Sequence, residues 1–447
     1  MTLTPSRPAI DNWPDLGTIP SGPRAAVSAQ VARRLFLGAM RRLPVTVVVA
    51  TGSTTGDAAD GHLATYGRGG PVMTVHRPDE FFARVGRQGL IGFGESYLTG
   101  AWDAEDLAGF LTVLAAEIQH LVPESLQRLR AVVVPRTPRR HRNTERNTRG
   151  NIAHHYDLSN DLFQLFLDPS LSYSSALFAS DVVDRGDHHE ATAPYGAGST
   201  GPGGDLLEAQ ARKIERLLDR AGVREGTRVL EIGSGWGELA IRAARRGARV
   251  VTITLSTEQK ALAEERIAAA GLSRLVDVEL CDYRAVEGSY DAVLSVEMIE
   301  AVGHQYWTTY FETIDRVLAP GGRVAIQAIT MPHDRMLATR NTYTWINKYI
   351  FPGGFLPSVE VIDQITRRHT GLRLVDRLSM GQHYAETLRR WDQAFHDASQ
   401  QVLALGFDDT FLRMWHFYLE YSRAGFASGY IDVNQLTFTR PGEETSR

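Results

Sequence analysis

The length and composition of this chain indicate a globular protein of two or three domains, since 447 residues with 43% apolar content can bury substantial cores. The net charge of −4 argues against a nucleic-acid partner, and no stretch approaches the roughly 20 apolar residues that a membrane helix requires. The single cysteine, Cys281, excludes an intramolecular disulfide, fits a reducing compartment and leaves no thiolate cluster for a metal, so we predict a cytoplasmic protein without a metal site.

The N-terminal third of the chain predicts a loose tail followed by a small α+β domain. Residues 1–23 are rich in proline and show no hydrophobic period. Residues 24–135 combine a helical pattern with two β-branched runs, LPVTVVVA and PVMTVH, a glycine-rich stretch, IGFGESYLTGAWD, and a second helical pattern over residues 104–120. We interpret residues 24–135 as an N-terminal α+β domain.

Two polar segments interrupt the regular patterns. Residues 136–150 contain six arginines and predict a basic linker, which could be solvated, bind nucleic acid or face lipid phosphates. Residues 181–205 are polar and rich in glycine, which predicts a flexible excursion. Its two histidines, His188 and His189, are adjacent, so they are not spaced to share one helical face as metal ligands.

Residues 151–447 predict one α/β domain that contains this excursion. Beyond the excursion, helical patterns such as LLEAQARKIERLLDRAG alternate with strand patterns such as RVLEIG, RVVTITL and RVAIQAIT. Such alternation is typical of a doubly wound, Rossmann-like parallel sheet, in which ligands bind at the carboxyl ends of the strands. We therefore predict an α/β fold of this kind, joined to the smaller N-terminal domain.

The stretch VLEIGSGWGELA ends an apolar strand in a turn that glycine allows to be tight and to approach a ligand closely. Its three glycines are Gly233, Gly235 and Gly237. A dinucleotide fingerprint would need glycine in place of Glu238 and a carboxylate after the next strand, which closes in Thr-Leu-Ser instead. Glu231, two residues before the turn, would repel phosphate and favour a cation. These features favour S-adenosylmethionine over a dinucleotide as the cofactor.

Residues after the later strands add to the predicted site. Asp282 and Tyr283 follow the VDVELC strand, where they can meet adenine, although Asp282 could equally cap a helix. The segment SVEMIEAVGHQYW replaces the prolyl loop of amine methyltransferases and carries Glu297 and Glu300 within one helical turn. One of these acids can act as a base, or hold one, at a methyl-transfer centre, and the alternative is that the pair caps the following helix.

Seven ordered blocks of the sequence resemble the cyclopropane-fatty-acyl-phospholipid synthase family. They run from His154 nearly to Thr439 and read HHYDLSNDLFQLFLDPSLSYSSALF, VLEIGSGWGELA, VTITLSTEQ, EMIEAVG, YIFPGGFLPS, HYAETLRRW and GFASGYIDVNQLTF. The upstream IGFGESYLTGAWD resembles the smaller N-terminal domain of the longer members, which implies that residues 24–135 associate with the lipid substrate. The resemblance therefore covers nearly the whole chain, apart from the tail and the excursion.

The resemblance implies methyl transfer from S-adenosylmethionine to a cis double bond of a phospholipid acyl chain, followed by loss of a proton from the resulting carbocation. It also implies a bicarbonate ion as the base, held by residues at the matching positions: Ser175, Glu300, Gln327, Ile329 and Tyr384. Ser175 and Gln327 stand where the family has cysteine and histidine, but a hydroxyl and an amide can still donate to an anion.

The remaining cofactor contacts follow from position in the chain. Besides the three glycines, which would meet the adenosyl moiety, the expected residues are Tyr173 and Ser174 at the methionine end, and Thr254, Leu255 and Gln259 near the ribose. Aromatic residues of the last helices are candidates for an acyl tunnel, with ordinary core packing as the alternative: Trp391, Trp415, Tyr418 and Tyr421.

Two products are compatible with this family, a cyclopropane and a 10-methylene fatty acyl chain. Because the altered residues, Ser175 and Gln327, cluster at the base, we favour the methylene product of the tuberculostearic-type branch. A lipid-binding protein with an inactive methyltransferase fold would not need the intact glycines, Tyr173 and Glu300. A methyltransferase for small soluble molecules would leave the N-terminal domain and the arginine segment without a role.

The expected partners follow from this chemistry. The substrate would be a phospholipid in the membrane, so we expect the protein to be peripheral to the inner face of the membrane. A reductase could act on the methylene product. The sequence leaves open whether the protein forms a homo-oligomer.

Overall fold

The computed structural model describes residues 12–51, 62–121, 159–179 and 206–442. Most of the predicted tail, the basic linker over residues 136–150 and the excursion over residues 181–205 lie outside the described residues. Within the described ranges, no helix is both long and apolar enough to cross a bilayer.

The chain folds as two compact units, each built from several segments. The first unit comprises Met1–Thr137, Thr342–Ile350 and Phe395–Tyr430, and the second comprises Pro138–Asn341, Phe351–Ala394 and Ile431–Arg447. The sequence predicted one domain over residues 151–447, with a flexible excursion at residues 181–205. Two stretches of that region instead belong to the first unit, because their aromatic side chains pack there: Trp345 contacts Phe417 with ring centroids 4.8 Å apart.

The first 121 residues form short helices around a small sheet. The elements are α1 (Pro14–Gly17), α2 (Pro23–Met40), β1 (Thr46–Thr51), β2 (His62–Gly67), β3 (Val72–Val75), α3 (Pro78–Gln88), α4 (Leu90–Leu98), β4 (Trp102–Ala104) and α5 (Leu107–Leu121). The strand order is β2-β1-β3-β4, with β1 and β3 parallel and both outer pairs antiparallel. The β-branched runs LPVTVVVA and PVMTVH thus supply the two central strands, as predicted.

The glycine-rich stretch of the first unit is a buried helix, α4, whose glycines allow its neighbours to come very close. A Cβ on Gly92 would lie 2.0 Å from the carbonyl oxygen of Arg84 in α3, and a Cβ on Gly94 would lie 2.5 Å from the indole of Trp345. Larger residues would push these elements apart, so both glycines are required by packing.

The second part of the chain alternates helices and strands. Its elements are α6 (Asn160–Phe166), α7 (Leu206–Arg220), β5 (Arg228–Ile232), α8 (Glu238–Arg245), β6 (Arg249–Thr254), α9 (Thr257–Ala269), β7 (Val276–Leu280), β8 (Tyr290–Val296), α10 (Ile299–Val302), α11 (Trp307–Val317), β9 (Leu318–Thr330), α12 (His333–Thr339), α13 (Trp345–Tyr349), α14 (Val359–His369), β10 (Arg373–Ser379), α15 (Gly381–Asp397), α16 (Ser399–Ala404), α17 (Asp409–Ala427) and β11 (Asp432–Thr439). Of these, α13, α16 and α17 lie in the first unit.

The second unit contains a seven-stranded sheet in the order β10-β11-β9-β8-β5-β6-β7. Strands β5 to β9 are parallel, as predicted, whereas β11 is antiparallel to both of its neighbours, β9 and β10. The chain runs from β5 outward to β7 and then returns to place β8 on the other side of β5. This reversal of strand order opens a crevice at the carboxyl ends of β5 and β8, where doubly wound folds bind their ligands.

Helices cover both faces of this sheet and complete its core. On one face, α7, α8 and α9 bury Ile214, Leu239 and Ala263 against the strands. On the other face, α11 and α14 bury Phe311 and Ile362. The crevice therefore lies at the end of a rigid, fully packed scaffold.

Candidate active site

The turn after β5 requires glycine for both its backbone and its space. Gly233, Gly235 and Gly237 all have positive φ angles, of 98°, 50° and 87°. A Cβ on Gly233 would also lie 2.6 Å from Cγ of Met298, whereas a Cβ on Gly235 would meet nothing within 4 Å. The predicted tight turn is therefore present, and the position of Gly233 depends on the segment that follows β8.

A cleft with about 370 Å³ of empty volume, partly open to solvent, lies at the carboxyl ends of β6, β7 and β8. Its lining residues are Leu255, Asp282, Tyr283, Arg284, Met298, Ala301, Val302 and Tyr306. Three predicted cofactor residues, Leu255, Asp282 and Tyr283, are among them. The lining is mainly apolar and aromatic, which suits a nucleoside ring better than a pyrophosphate.

Several predicted cofactor residues already have partners within the chain. Thr254 Oγ1 donates to Gln259 Oε1 over 2.9 Å, so these two side chains satisfy each other beside the first turn of α9. The carboxylate of Asp282 accepts from the backbone N–H and the guanidinium of Arg284, which is the capping alternative considered for this residue. Of the three residues assigned to the ribose region, only Leu255 lines the cleft.

The charge expected on Glu231 depends on its surroundings. This residue is 3% exposed and accepts a hydrogen bond of 2.6 Å from Thr252 Oγ1. Burial raises the pKa of Glu231 to about 8, so this residue does not carry the fixed negative charge at neutral pH that its sequence position predicted. A cation bound nearby would favour the ionised form.

The loop before the excursion carries the predicted residues Tyr173 and Ser174, and Ser174 contacts a lysine that was not predicted from the sequence. The ring of Tyr173 packs against Phe163 and Trp391, with centroids 5.1 and 5.3 Å apart. Ser174 Oγ accepts a hydrogen bond of 2.7 Å from Lys213 Nζ. Burial lowers the pKa of Lys213 to about 8 against the opposing effect of four acids, of which Glu297 is the strongest. The helical pattern around Lys213 gave no signal that this residue faces inward at the site.

Three of the groups predicted to hold an anion, one backbone N–H and two side chains, donate to the carboxylate of Glu297. The donors are Ser175 N–H and Gln327 Nε2, which reach Oε1 over 3.0 and 2.8 Å, and the hydroxyl of Tyr384, which reaches Oε2 over 2.7 Å. We call Ser175, Gln327 and Tyr384 the donor set. Glu297 was recognised in the sequence as a possible base but was not included among the residues that hold bicarbonate.

Glu297 has a backbone conformation that its residue type rarely adopts. Its φ angle is +52°, and among the described residues only Leu171 shares a positive φ without being glycine. Such a conformation costs roughly 1–3 kcal/mol and persists where the surrounding structure enforces it, often at functional sites. The strain aims the carboxylate at the donor set.

Glu300 lies one turn further and has a different environment. Its Oε1 accepts from the backbone N–H of Ile329, and its Oε2 is buried with no hydrogen-bond partner among the described residues. Burial, and secondly the proximity of Glu297, raise the pKa of Glu300 to about 8. Glu300 therefore keeps its proton at neutral pH, whereas the larger number of donors around Glu297 lowers the pKa of Glu297 against the effect of burial, which raises it.

The hydrogen bonds of Glu297 and Glu300 occupy the groups that the family resemblance predicted to hold bicarbonate. Four of the five predicted groups, namely the donor set and the Ile329 N–H, already donate to carboxylates of this chain. The fifth, Glu300, is itself an acid. The described residues therefore do not fit a bound bicarbonate.

Of the aromatic residues proposed for an acyl tunnel, Trp391 lies at this site, where its ring meets Tyr384 edge to face at 6.1 Å. Trp415, Tyr418 and Tyr421 belong to α17 in the first unit, where Trp415 packs against Phe411 and Tyr418. In the part of the chain that the structure describes, no cluster of histidine, cysteine and acidic side chains could hold a metal ion.

Comparison with known proteins gives a consistent assignment. Residues 143–436 match the sequence pattern of the family described as mycolic acid cyclopropane synthetase. The tuberculostearic acid methyltransferase UfaA1 of Mycobacterium tuberculosis is 51% identical over 432 residues, which cover 97% of this chain and 96% of that protein. The cyclopropane-fatty-acyl-phospholipid synthase of Escherichia coli K12 is 33% identical over 389 residues, covering 86% of this chain and 92% of that enzyme.

Solved structures agree with this relationship. The cyclopropane synthase MmaA2 of Mycobacterium tuberculosis matches 65% of this chain and 97% of its own with a TM-score of 0.56 at 29% identity. The mycolic acid cyclopropane synthase CmaA1, in a complex with S-adenosylhomocysteine (SAH) and CTAB, gives the same TM-score and coverage at 30% identity.

We predict that Gly233→Ala weakens SAH binding by about tenfold or more, because the new methyl group would push Met298 into the cleft. Isothermal titration calorimetry would measure this. Gly271→Ala is the matched control, since Gly271 also has a positive φ but open space around its Cβ position, so it should lose stability and keep its affinity. Equal loss of affinity in both variants would contradict the role of the Gly233–Met298 contact.

We also predict that Glu300→Gln removes part of the pH dependence of stability. The folded pKa of Glu300, about 8, exceeds its unfolded value of 4.5, so its stabilising contribution is complete below the unfolded value and is lost as pH rises towards the folded value. Between about pH 5 and pH 8, the free energy of unfolding should fall less steeply with pH for the variant than for the natural protein. The two slopes should differ by about 1.4 kcal/mol per pH unit. Urea unfolding at several pH values measures this, with the exposed Glu287→Gln as control. Parallel slopes for Glu300→Gln and the natural protein would contradict it.

Proposed function

Because this chain belongs to the mycolic acid cyclopropane synthetase family and is an S-adenosylmethionine-dependent methyltransferase, we propose that it methylates the cis double bond of an oleoyl phospholipid and forms a 10-methylene acyl chain. The observation that carries this proposal is the half-buried carboxylate of Glu297, held by three hydrogen-bond donors and next in sequence to the cleft residue Met298. Methylation of an alkene leaves a carbocation from which a base must remove a proton, and a carboxylate beside aromatic rings can serve as that base.

The residues around Glu297 suit this chemistry. When bound, S-adenosylmethionine supplies an electrophilic methyl group. An alkene is a weak nucleophile, so it must be held in line with that group where water is absent. The rings of Tyr173, Tyr384 and Trp391 lie together beside the acid, and aromatic faces can stabilise a passing positive charge.

The position of the cation decides the product. If the methyl group loses a proton while the cation is on the neighbouring carbon, the electrons close a cyclopropane ring. If a hydride first moves between the two former alkene carbons, the same proton loss gives an exomethylene group. The similarity to a protein named tuberculostearic acid methyltransferase supports the second outcome, and the cyclopropane remains the alternative. A reductase would then be needed to convert the methylene group into a methyl branch.

The exposed face of α2 supports access to a membrane surface. Val27, Val31 and Leu35 recur every four residues and are 64%, 53% and 49% exposed, so they form one apolar stripe. Exposed arginines, including Arg24 and Arg34, accompany the stripe, and α2 contains no acidic residue. Apolar residues beside basic ones bind an anionic lipid surface, to which each nearby arginine adds about 1 kcal/mol.

The central test is incubation of the purified protein with methyl-labelled S-adenosylmethionine and vesicles of dioleoyl phosphatidylglycerol. We expect label in the lipid, and mass spectrometry of derivatised fatty acids should locate a methylene group at carbon 10. A labelled cyclopropane would establish the alternative product. Absence of label from all lipids, with the cofactor bound, would refute the proposed function.

We predict that Val31→Glu lowers co-sedimentation with anionic vesicles at least about threefold, because it places a charge in the apolar stripe of α2. Val375→Glu is the matched control, since Val375 is 54% exposed on β10 and should leave vesicle binding unchanged. Unchanged binding by the Val31 variant would exclude α2 as the lipid-facing surface. High salt should weaken the binding of the natural protein.

A further inference from the structure

We propose that Glu297 is itself the base that removes the proton after methyl transfer, in the place of an external bicarbonate ion. This inference rests on the proposed function, because it names the proton acceptor for that reaction. It depends on the contacts of Glu297, its charge, its backbone and the chemistry of the step.

The contacts of Glu297 are those of a bound anion. Both carboxylate oxygens are engaged, Oε1 by Ser175 N–H and Gln327 Nε2, and Oε2 by the Tyr384 hydroxyl. Gln327 is fixed in turn, since its Oε1 accepts 3.1 Å from Gln435 Nε2 on β11. The amide of Gln327 can therefore present only its N–H side to Glu297.

The charge of the site favours an ionised Glu297. Burial raises the pKa of Glu297, and its hydrogen bonds and the nearby Lys213 offset only part of this increase. Among the described residues, Glu300 has only backbone N–H groups as donors, and it is repelled by Glu297, so it holds the proton of the pair. One carboxylate is then charged and basic while its neighbour is neutral, the division of roles that proton transfer needs.

The backbone at position 297 would be easier for glycine. A φ angle of +52° suits glycine, which would also leave room for a separate anion between the donors. With glutamate at this position the backbone is strained, and the side-chain carboxylate occupies the space between the donors. A second anion would have to displace Glu297 from its three donors or lie against its negative charge, and both are unfavourable.

The proposed step balances without a further reagent. The π electrons of the alkene form a bond to the methyl carbon while the electron pair of the carbon–sulfur bond stays on sulfur, and a hydride shift moves the cation to the methylated carbon. Glu297 then accepts a proton from the methyl group, and the C–H electron pair becomes the exomethylene double bond. The neutral Glu297 returns the proton to solvent, so nothing is oxidised or reduced overall.

The test compares the natural protein with Glu297→Gln and Glu297→Gly, in buffers freed of carbon dioxide and in buffers with added bicarbonate. We expect the natural protein to turn over equally in both buffers. We expect Glu297→Gln to lose at least about 100-fold in kcat while it still binds SAH. Glu297→Gly should be equally impaired without bicarbonate and recover at least about tenfold when bicarbonate fills the vacated position. The exposed Glu287→Gln should behave like the natural protein.

A binding measurement separates this role from a structural one. The ¹³C resonance of labelled bicarbonate should broaden with Glu297→Gly and not with the natural protein, whether or not lipid is present. Dependence of the natural protein on bicarbonate, or full activity of Glu297→Gln, would overturn the inference and leave the proposed function intact. If the natural protein labels no lipid in either buffer, the proposed function itself fails.

Discussion

The proposed chemistry depends on keeping the half-buried carboxylate of Glu297 ionised. Burying a charge is costly unless hydrogen bonds and an opposite charge compensate, and Glu297 has three donors and the nearby Lys213. The donors come from a loop, a central strand and a late helix, so the whole second unit has to be in place to supply them. The strained backbone of Glu297 and the neutral state of Glu300 follow from the same requirement.

The order of the strands explains why the cleft and Glu297 lie side by side. The reversal of strand order at β5 and β8 opens one crevice, and the segment after β8 contributes to both halves of the site. Met298 limits the space beside Gly233 and lines the cleft, while its neighbour Glu297 faces the donor set. Because Met298 and Glu297 are consecutive residues, a ligand in the cleft would lie close to the carboxylate of Glu297.

The sequence predicted the parallel part of the sheet well, because strand and helix periods are strong where both faces of a sheet are buried. It did not predict that β11 would insert antiparallel between β9 and β10, since strand order depends on contacts remote in sequence. Motif matching identified Ser175, Gln327 and Tyr384, but their common target depends on the unusual φ of Glu297, which residue type alone would not suggest. Thr254, Gln259 and Asp282 are engaged by local hydrogen bonds that a motif does not reveal.

The location of β11 has a consequence for biosynthesis. Strand β11 follows β5 to β9 in the chain, yet it lies inside the sheet and its Gln435 fixes the orientation of Gln327. A nascent chain can therefore pair strands β5 to β9 before β11 has been made, but the hydrogen bonds around Glu297 are complete only after β11 has joined the sheet. Assembly of the parallel strands thus precedes completion of the surroundings of this acid.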